Sequence, residues 1–419
     1  MLPSQAIGGL SDFHYFLSLF GKRDAAAWRR MHVSIEEIAD VQDKKLIPLA
    51  VALLMFPQLA QTLYSPALAD FAARFAVPPQ AAAQTMTVYF LAFAFGVVGW
   101  GRLCDRAGRR RAMLGGLAVY AAGSVLALCT PTFAGLLLAQ AVAAFGAAAG
   151  SVVTQTVLRD RYGGPALAKV FSQVTLVLAL SPALGLFAGA ALVHAFGYRG
   201  VLWCLLGLAA ALLAWSAWSL PETRPVHAKQ APVLETLRML AMDVHVWRSA
   251  LLVAVFNVAM CSYYALGPFL FRRLGLGEAM YGSSGLLLAF GASLGAWINR
   301  RLISAGVRSE RLLALGVMLA LGGGIGVQLT QATAWFVLPM MLVVLAFGLA
   351  IPHVLGQALA AFGDRLGTAG ALFGLMYYLM IGAGLWLAGW TQALGASLLV
   401  CGYVAAWLLL AGLPKARTA

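Results

Sequence analysis

Gly101-Arg102-Leu103-Cys104-Asp105-Arg106-Ala107-Gly108-Arg109-Arg110-Arg111 separates two long apolar runs, residues 84–103 and 112–129. Five basic residues and a single acid in so short a link suit a tight turn between two membrane helices. Arginine is costly to move across a bilayer, so such a cluster stays on the side where the chain is made. The glycines carry separate duties. Gly101 lets one helix approach another closely, and Gly108 permits a turn that a side chain would obstruct. Asp105 is placed to pair with Arg106 or Arg109 and to face the positive end of a nearby helix.

Outward from this turn the chain is overwhelmingly apolar. Of 419 residues 62% are hydrophobic and 11% charged, with a mean hydropathy of +0.85. No water-soluble core could bury that much apolar surface, so the chain reads as a polytopic membrane protein. At about 20 residues per span, twelve helices are expected. They cover 46–66, 83–103, 112–130, 133–157, 167–194, 198–220, 248–270, 280–302, 310–330, 335–358, 367–390 and 393–413. With both termini on the cytoplasmic side, 25 of the 29 Lys and Arg residues lie inside, which sets the orientation. The net charge of +14 is therefore a topological signal and implies no nucleic-acid partner. Five scattered cysteines without a CxxC read as packing residues, neither metal ligands nor a disulfide set. No Walker loop, dinucleotide fingerprint or hydrolase motif occurs, so neither an enzyme, a catalytic residue nor a bound cofactor is expected.

The spans divide into two blocks. Residues 1–45 form a polar cytoplasmic extension, 46–220 a first six-helix bundle, 221–247 a cytoplasmic linker, 248–413 a second bundle and 414–419 a tail. In the extension, Phe13, Phe16, Leu17 and Phe20 recur at helical spacing, as in a short helix lying on the membrane surface; the competing reading is that Met31 is the true start. The second block echoes the first, Gly295 to Arg300 repeating the G-x-x-x-[DN]-R spacing of Gly101 to Arg106. On the first span Gln58, Gln61, Thr62 and Ser65 share one face, which lipid could not satisfy.

The G-x-x-x-D-R-x-G-R-R spacing resembles the loop signature of the major facilitator superfamily of transporters. Further stretches resemble its bicyclomycin-resistance (Bcr/CflA) branch of drug:proton antiporters. These are Tyr64-Ser65-Pro66-Ala67-Leu68, Ala149-Gly150-Ser151-Val152-Val153, Leu158-Arg159-Asp160-Arg161-Tyr162, Ser181-Pro182-x-x-Gly185, Gly267-Pro268-Phe269 and Gly367-Thr368-Ala369-Gly370-Ala371-Leu372. The resemblance implies an all-α membrane fold of twelve helices in two parallel six-helix bundles, with substrate bound between them near the midplane. It also implies a cytoplasmic gate of Gly101, Asp105, Arg106, Gly108, Arg109, Arg110 and Asp160, in which the charges of Asp105, Arg106, Arg109 and Asp160 latch the outward-facing state.

Two departures from the branch bear on function. Thr62 occupies the slot of a membrane-embedded aspartate, and Gln140 the slot of an arginine. Of the fifteen acids only Glu310 touches a predicted span, at its first residue, so no carboxylate deep in the membrane is available to exchange a proton for a cationic drug. A neutral, zwitterionic or weakly anionic solute fits better than a lipophilic cation. If protons couple, His353 is the carrier to test, against a plain packing histidine. Gln61, Thr62, Tyr89, Gln140, Asn257, Tyr264, Tyr377 and Tyr378 are the polar and aromatic candidates for the substrate cavity. The expected partners are a small-molecule substrate, the lipid bilayer and, where coupling exists, protons; the expected state is a monomer in the inner membrane. The readings weighed are efflux of a drug-like compound, export of a siderophore or biosynthetic metabolite, or facilitation without carboxylate-based coupling. A non-transporting receptor on the same scaffold is the remote alternative.

Overall fold

The computed structural model describes residues 46–224 and 233–411; the amphipathic stretch around Phe13, the Met31 start and the tail at 414–419 lie outside them. In lipid a single apolar segment can satisfy its backbone only by helical hydrogen bonding, and among the described residues there is no strand. The helices are α1 (Leu46–Arg74), α2 (Pro79–Ala107), α3 (Arg109–Cys129), α4 (Phe133–Arg161), α5 (Gly164–Ser219), α6 (Val233–Met242), α7 (Val244–Arg273), α8 (Glu278–Ser304), α9 (Ser309–Thr330), α10 (Val337–Ala358), α11 (Leu366–Thr391) and α12 (Leu394–Ala411). Eleven of these helices are long and apolar enough to cross a membrane. The 56-residue α5 holds two spans joined at Gly197, whose φ of +63° breaks the helical backbone, which gives the twelve expected.

Several boundaries move. The arginine-rich link shrinks to one residue, because α2 runs to Ala107 and α3 begins at Arg109. Gly108 between them has φ +100°, a conformation that favours glycine, and a Cβ there would push the carboxylate end of the Glu222 side chain aside. The role expected of Gly101 is corrected: a Cβ there would meet nothing closer than Val152 at 3.6 Å, whereas at Gly96 it would lie 2.6 Å from the Phe145 carbonyl. The close approach of α2 to α4 is thus made one and a half turns deeper. The stretch 221–247 is not a plain linker, since α6 lies inside it.

α1 to α5 pack on one another, as do α7 to α12, and the two sets meet along α2 with α11, α5 with α8, and α1 with α7. Small residues make the tight crossings. A Cβ on Gly146 of α4 would sit 2.5 Å from the Tyr120 nitrogen of α3, and one on Gly116 would sit 2.1 Å from the Ala149 Cβ. Such crossings rely on backbone-to-backbone van der Waals contact, because lipid supplies no hydrophobic drive between helices. Large apolar side chains point outward instead, among them Phe95, Phe196, Trp203, Phe290 and Trp407, as a bilayer permits and water does not.

Candidate functional site

Between α2, α4 and the start of α5 on one side and α10 and α11 on the other lies a cavity of about 1030 Å³. It reaches the end of the molecule that carries Gly108, and its lining includes Gly101, Arg102, Asp105, Arg106, Arg109, Arg159 and Asp160. Farther along the same helices, Phe90 and Phe93 of α2 meet Tyr378 of α11, with ring centroids 6.3 and 4.9 Å apart. Tyr89, Phe373 and Tyr377 extend this aromatic layer. This layer lies beyond the part of the cavity lined by Val98 and Leu372.

The arginine-rich end is built around Arg109, whose side chain retains 5% of its exposure. Its Nε donates to Asp160 Oδ2 at 2.7 Å and its Nη1 to the Cys104 carbonyl at 3.1 Å, with Asp105 Oδ1 at 3.5 Å. Thr223 Oγ1 also donates to Asp160 Oδ2, at 3.0 Å. Glu222 completes the cluster: its two oxygens accept the backbone N–H groups of Arg109 and Arg110, at 2.8 and 3.2 Å. These are the first donors of α3, left free by every helix start, and a carboxylate there also suits the helix dipole. Arg110 reaches the Ala217 carbonyl through Nη2. The cluster is closed within the first bundle and is formed while this end of the cavity is open. Asp105 keeps 46% of its side-chain exposure, and it and Arg106 face the same cavity as Thr368 and Gly370 of α11.

Burial pushes the Glu222 carboxyl up, but the backbone donors of Arg109, Arg224, Arg110 and Thr223 outweigh it and hold the group below its usual 4.5. A depressed carboxylate stabilises the fold above its unfolded pKa and loses that contribution as pH falls through the lower folded value. Thermal unfolding scanned from pH 6 downward should therefore show an acid-side loss below about 4.5 that is smaller in Glu222→Gln. Identical pH profiles would remove the capping role from this carboxylate.

The opposite end is shut by α1 against α7 and α8. Ser65 Oγ lies 2.6 Å from the Tyr264 carbonyl and 2.6 Å from the Tyr281 hydroxyl, all three residues buried. The carbonyl is free because Pro268, four residues on, has no N–H to give it. Gly267 makes room for the Tyr281 ring, which a Cβ would approach to 2.6 Å. One turn deeper Gln61 Nε2 reaches Cys261 Sγ at 3.6 Å, and one turn shallower Arg272 Nη1 reaches the Ala69 carbonyl at 3.4 Å. Tyr263 and Ser284 share a further hydroxyl contact behind this seal.

The predicted cavity residues separate accordingly. Tyr89 and Tyr378 share the aromatic layer through Phe93, and Tyr377 stacks beside Tyr378; Tyr89 also donates to the Pro57 carbonyl at 2.7 Å. Gln61 and Tyr264 belong to the seal. Thr62 turns from the centre, donating to the Gln58 carbonyl at 2.9 Å and packing on Gly185 of α5. Asn257 donates to the Val253 carbonyl at 2.8 Å within its own helix, and Gln140 is buried in α4. None of the eight lines the open cavity. His353 does not either: its Nε2 lies 2.7 Å from Asn299 Oδ1, and it borders a separate pocket. Every described acid on a long helix stands in its terminal turns, as Asp70, Asp105, Asp160, Glu278 and Glu310 do. Among the described residues no group of three or more His, Cys, Asp or Glu could hold a metal ion.

The Major Facilitator Superfamily model matches residues 51–385. An uncharacterized transporter of Rickettsia bellii is 30% identical over 80% of this chain and 88% of its own. Multidrug resistance protein D of Escherichia coli is 28% identical over 78% and 84%. A bicyclomycin resistance protein homolog of Haemophilus influenzae is 25% identical over 77% and 83%.

Proposed function

The chain belongs to the Major Facilitator Superfamily, and on that premise we propose that it exports a small organic compound across the inner membrane by alternating access. The solute is neutral, zwitterionic or weakly anionic. One observation carries this reading: the open cavity is bordered by Arg102, Arg106 and Arg159, while its acids are Asp105 and Asp160 at the mouth, the latter engaged by Arg109. A desolvated cation would meet like charge at the entrance and no carboxylate farther in, which disfavours it strongly inside a low-dielectric wall. The same lack of an inner carboxylate argues against the usual proton-for-cation exchange. The drug-resistance relatives are in keeping with a drug-like organic substrate, and the aromatic layer of Tyr89, Phe93 and Tyr378, beyond the lining of the open cavity, would meet its apolar part as the bundles rock.

In this reading the Gly108 end is cytoplasmic and the structure faces inward. Arg109 and Asp160 stay paired throughout the cycle, and Asp105 and Arg106 meet α11 when the cytoplasmic end closes. Transport by full-length protein in liposomes tests the assignment, with matched neutral, anionic and cationic drug-like compounds and with or without an imposed pH gradient. Saturable movement of neutral or anionic members is expected. Movement confined to lipophilic cations and abolished by a protonophore would overturn it.

A further inference from the structure

A second cavity, of about 470 Å³, lies between the starts of α7 and α9 and the ends of α10 and α12. His245, Arg248, Ser309, Arg311 and His353 are among the residues that line it. The mechanism proposed above uses none of them as a route for substrate. Its one acid, Glu310, is already paired with Arg308 at 3.2 Å. Arg248 and Arg311 have no carboxylate partner among the described residues; Arg248 is held through Nε by the Leu408 carbonyl at 2.9 Å. The first turn of α9 adds uncapped backbone donors, since Arg308 before it supplies no side-chain acceptor. Two guanidinium groups without a carboxylate partner, around a cavity at a helix start, suit a phosphate-type anion.

The surroundings say what carries that anion. Arg311, Leu315 and Met318 follow at i, i+4 and i+7 on α9, and Leu315 and Met318 are 39% and 66% exposed. On α12, Tyr403, Trp407 and Leu410 repeat this spacing at 60%, 64% and 67% exposed. Because α12 ends at the pocket and α9 begins there, both apolar stripes run from the basic pocket into the membrane zone. A soluble anion would gain nothing from them, whereas two acyl chains would cover them. We propose that this pocket binds the phosphate of an anionic membrane lipid, with its chains lying along the exposed stripes of α9 and α12. Basic recesses between helices on one membrane face are the general setting for such headgroups.

The test uses the full chain purified in a mild detergent and exposed to an equimolar mixture of phosphatidylglycerol and phosphatidylcholine with identical acyl chains. Retained lipid is read by native mass spectrometry. The parent should retain phosphatidylglycerol preferentially, and Arg248→Gln and Arg311→Gln should each lower that preference by about fivefold. Arg311→Lys, which keeps the charge, should preserve most of it and guards against a folding artefact. Arg301→Gln, which removes an exposed arginine stacked on Trp297, should not change it. Equal retention of the two lipids by the parent, or a preference that survives both glutamine substitutions, overturns the proposal. Inorganic phosphate at low ionic strength is the other arm. Stabilisation by phosphate through the same arginines, with no lipid preference, would make the pocket a soluble-anion site and also overturn the lipid assignment.

Discussion

Asp160→Ala is expected to destabilise the folded protein by about 1–3 kcal/mol, the cost of leaving a buried guanidinium without the carboxylate of a part-buried pair. The effect is large because the group left behind is Arg109, whose side chain keeps only 5% of its exposure. Without Asp160 the guanidinium retains the Cys104 carbonyl and a 3.5 Å contact to the half-exposed Asp105. Thr223 also loses the acceptor of its hydroxyl. Asp105→Asn serves as the contrast: its pair is longer and open to water, so about 0–1 kcal/mol is expected. Denaturant titration of both variants in one detergent separates the two cases. Equal midpoints for parent and Asp160→Ala would show the pair to be dispensable for the fold. The double replacement Arg109→Met with Asp160→Leu should recover most of the loss, since removing both charges leaves neither one stranded.

This cluster also marks where reading the chain from one end to the other stops working. Apolar run length placed every span, and the glycine and arginine spacing placed the turn at Gly108, because both signals are local. Arg109 and Asp160 were each legible from a motif. Glu222 was not: it follows the sixth span in a stretch that looks like linker, and it acts on a helix start 113 residues earlier. Its trace in the sequence is an acid just past an apolar run, on the same membrane side as an uncapped helix opening with three arginines. Asn299, in the repeat of the loop spacing, and His353, singled out only as a titratable group, likewise had nothing local to join them across 2.7 Å. The polar face of α1 was visible, but not its division, with Gln58 accepting from Ser181 of α5 and Gln61 and Ser65 reaching the other bundle. Gly267-Pro268 resembles a family pattern; that it frees the Tyr264 carbonyl for Ser65 is a fact of packing.

Fixing α1 to α7 is expected to stop transport altogether. Gln61→Cys places a thiol opposite the native Cys261, in the slot now spanned by the 3.6 Å amide–sulfur contact. A short bifunctional thiosulfonate should bridge the pair; replacing the exposed Cys129 by serine keeps the reagent from reacting there. Alternating access requires this end to part so that the cavity can empty on the far side, and a covalent bridge removes that state. Transport in liposomes should fall to background on cross-linking and return with reductant, while transport at the parent rate through bridged protein would exclude an opening between α1 and α7. Ser65→Ala acts on the same seal in the opposite direction. It leaves the buried Tyr264 carbonyl without a partner in the closed form, a penalty of about 1–3 kcal/mol. The open form, where water can reach that carbonyl, escapes the penalty, so the equilibrium should move toward it by about 5- to 150-fold. Pro268→Ala should shrink that shift, because a restored N–H would satisfy the carbonyl inside α7 whether or not Ser65 is there. Inter-probe distances across the seal, measured in the two single variants and the double, give the coupling directly. A Ser65→Ala shift that is unchanged in the Pro268→Ala background would mean that the serine holds the Tyr281 hydroxyl and not the vacant carbonyl.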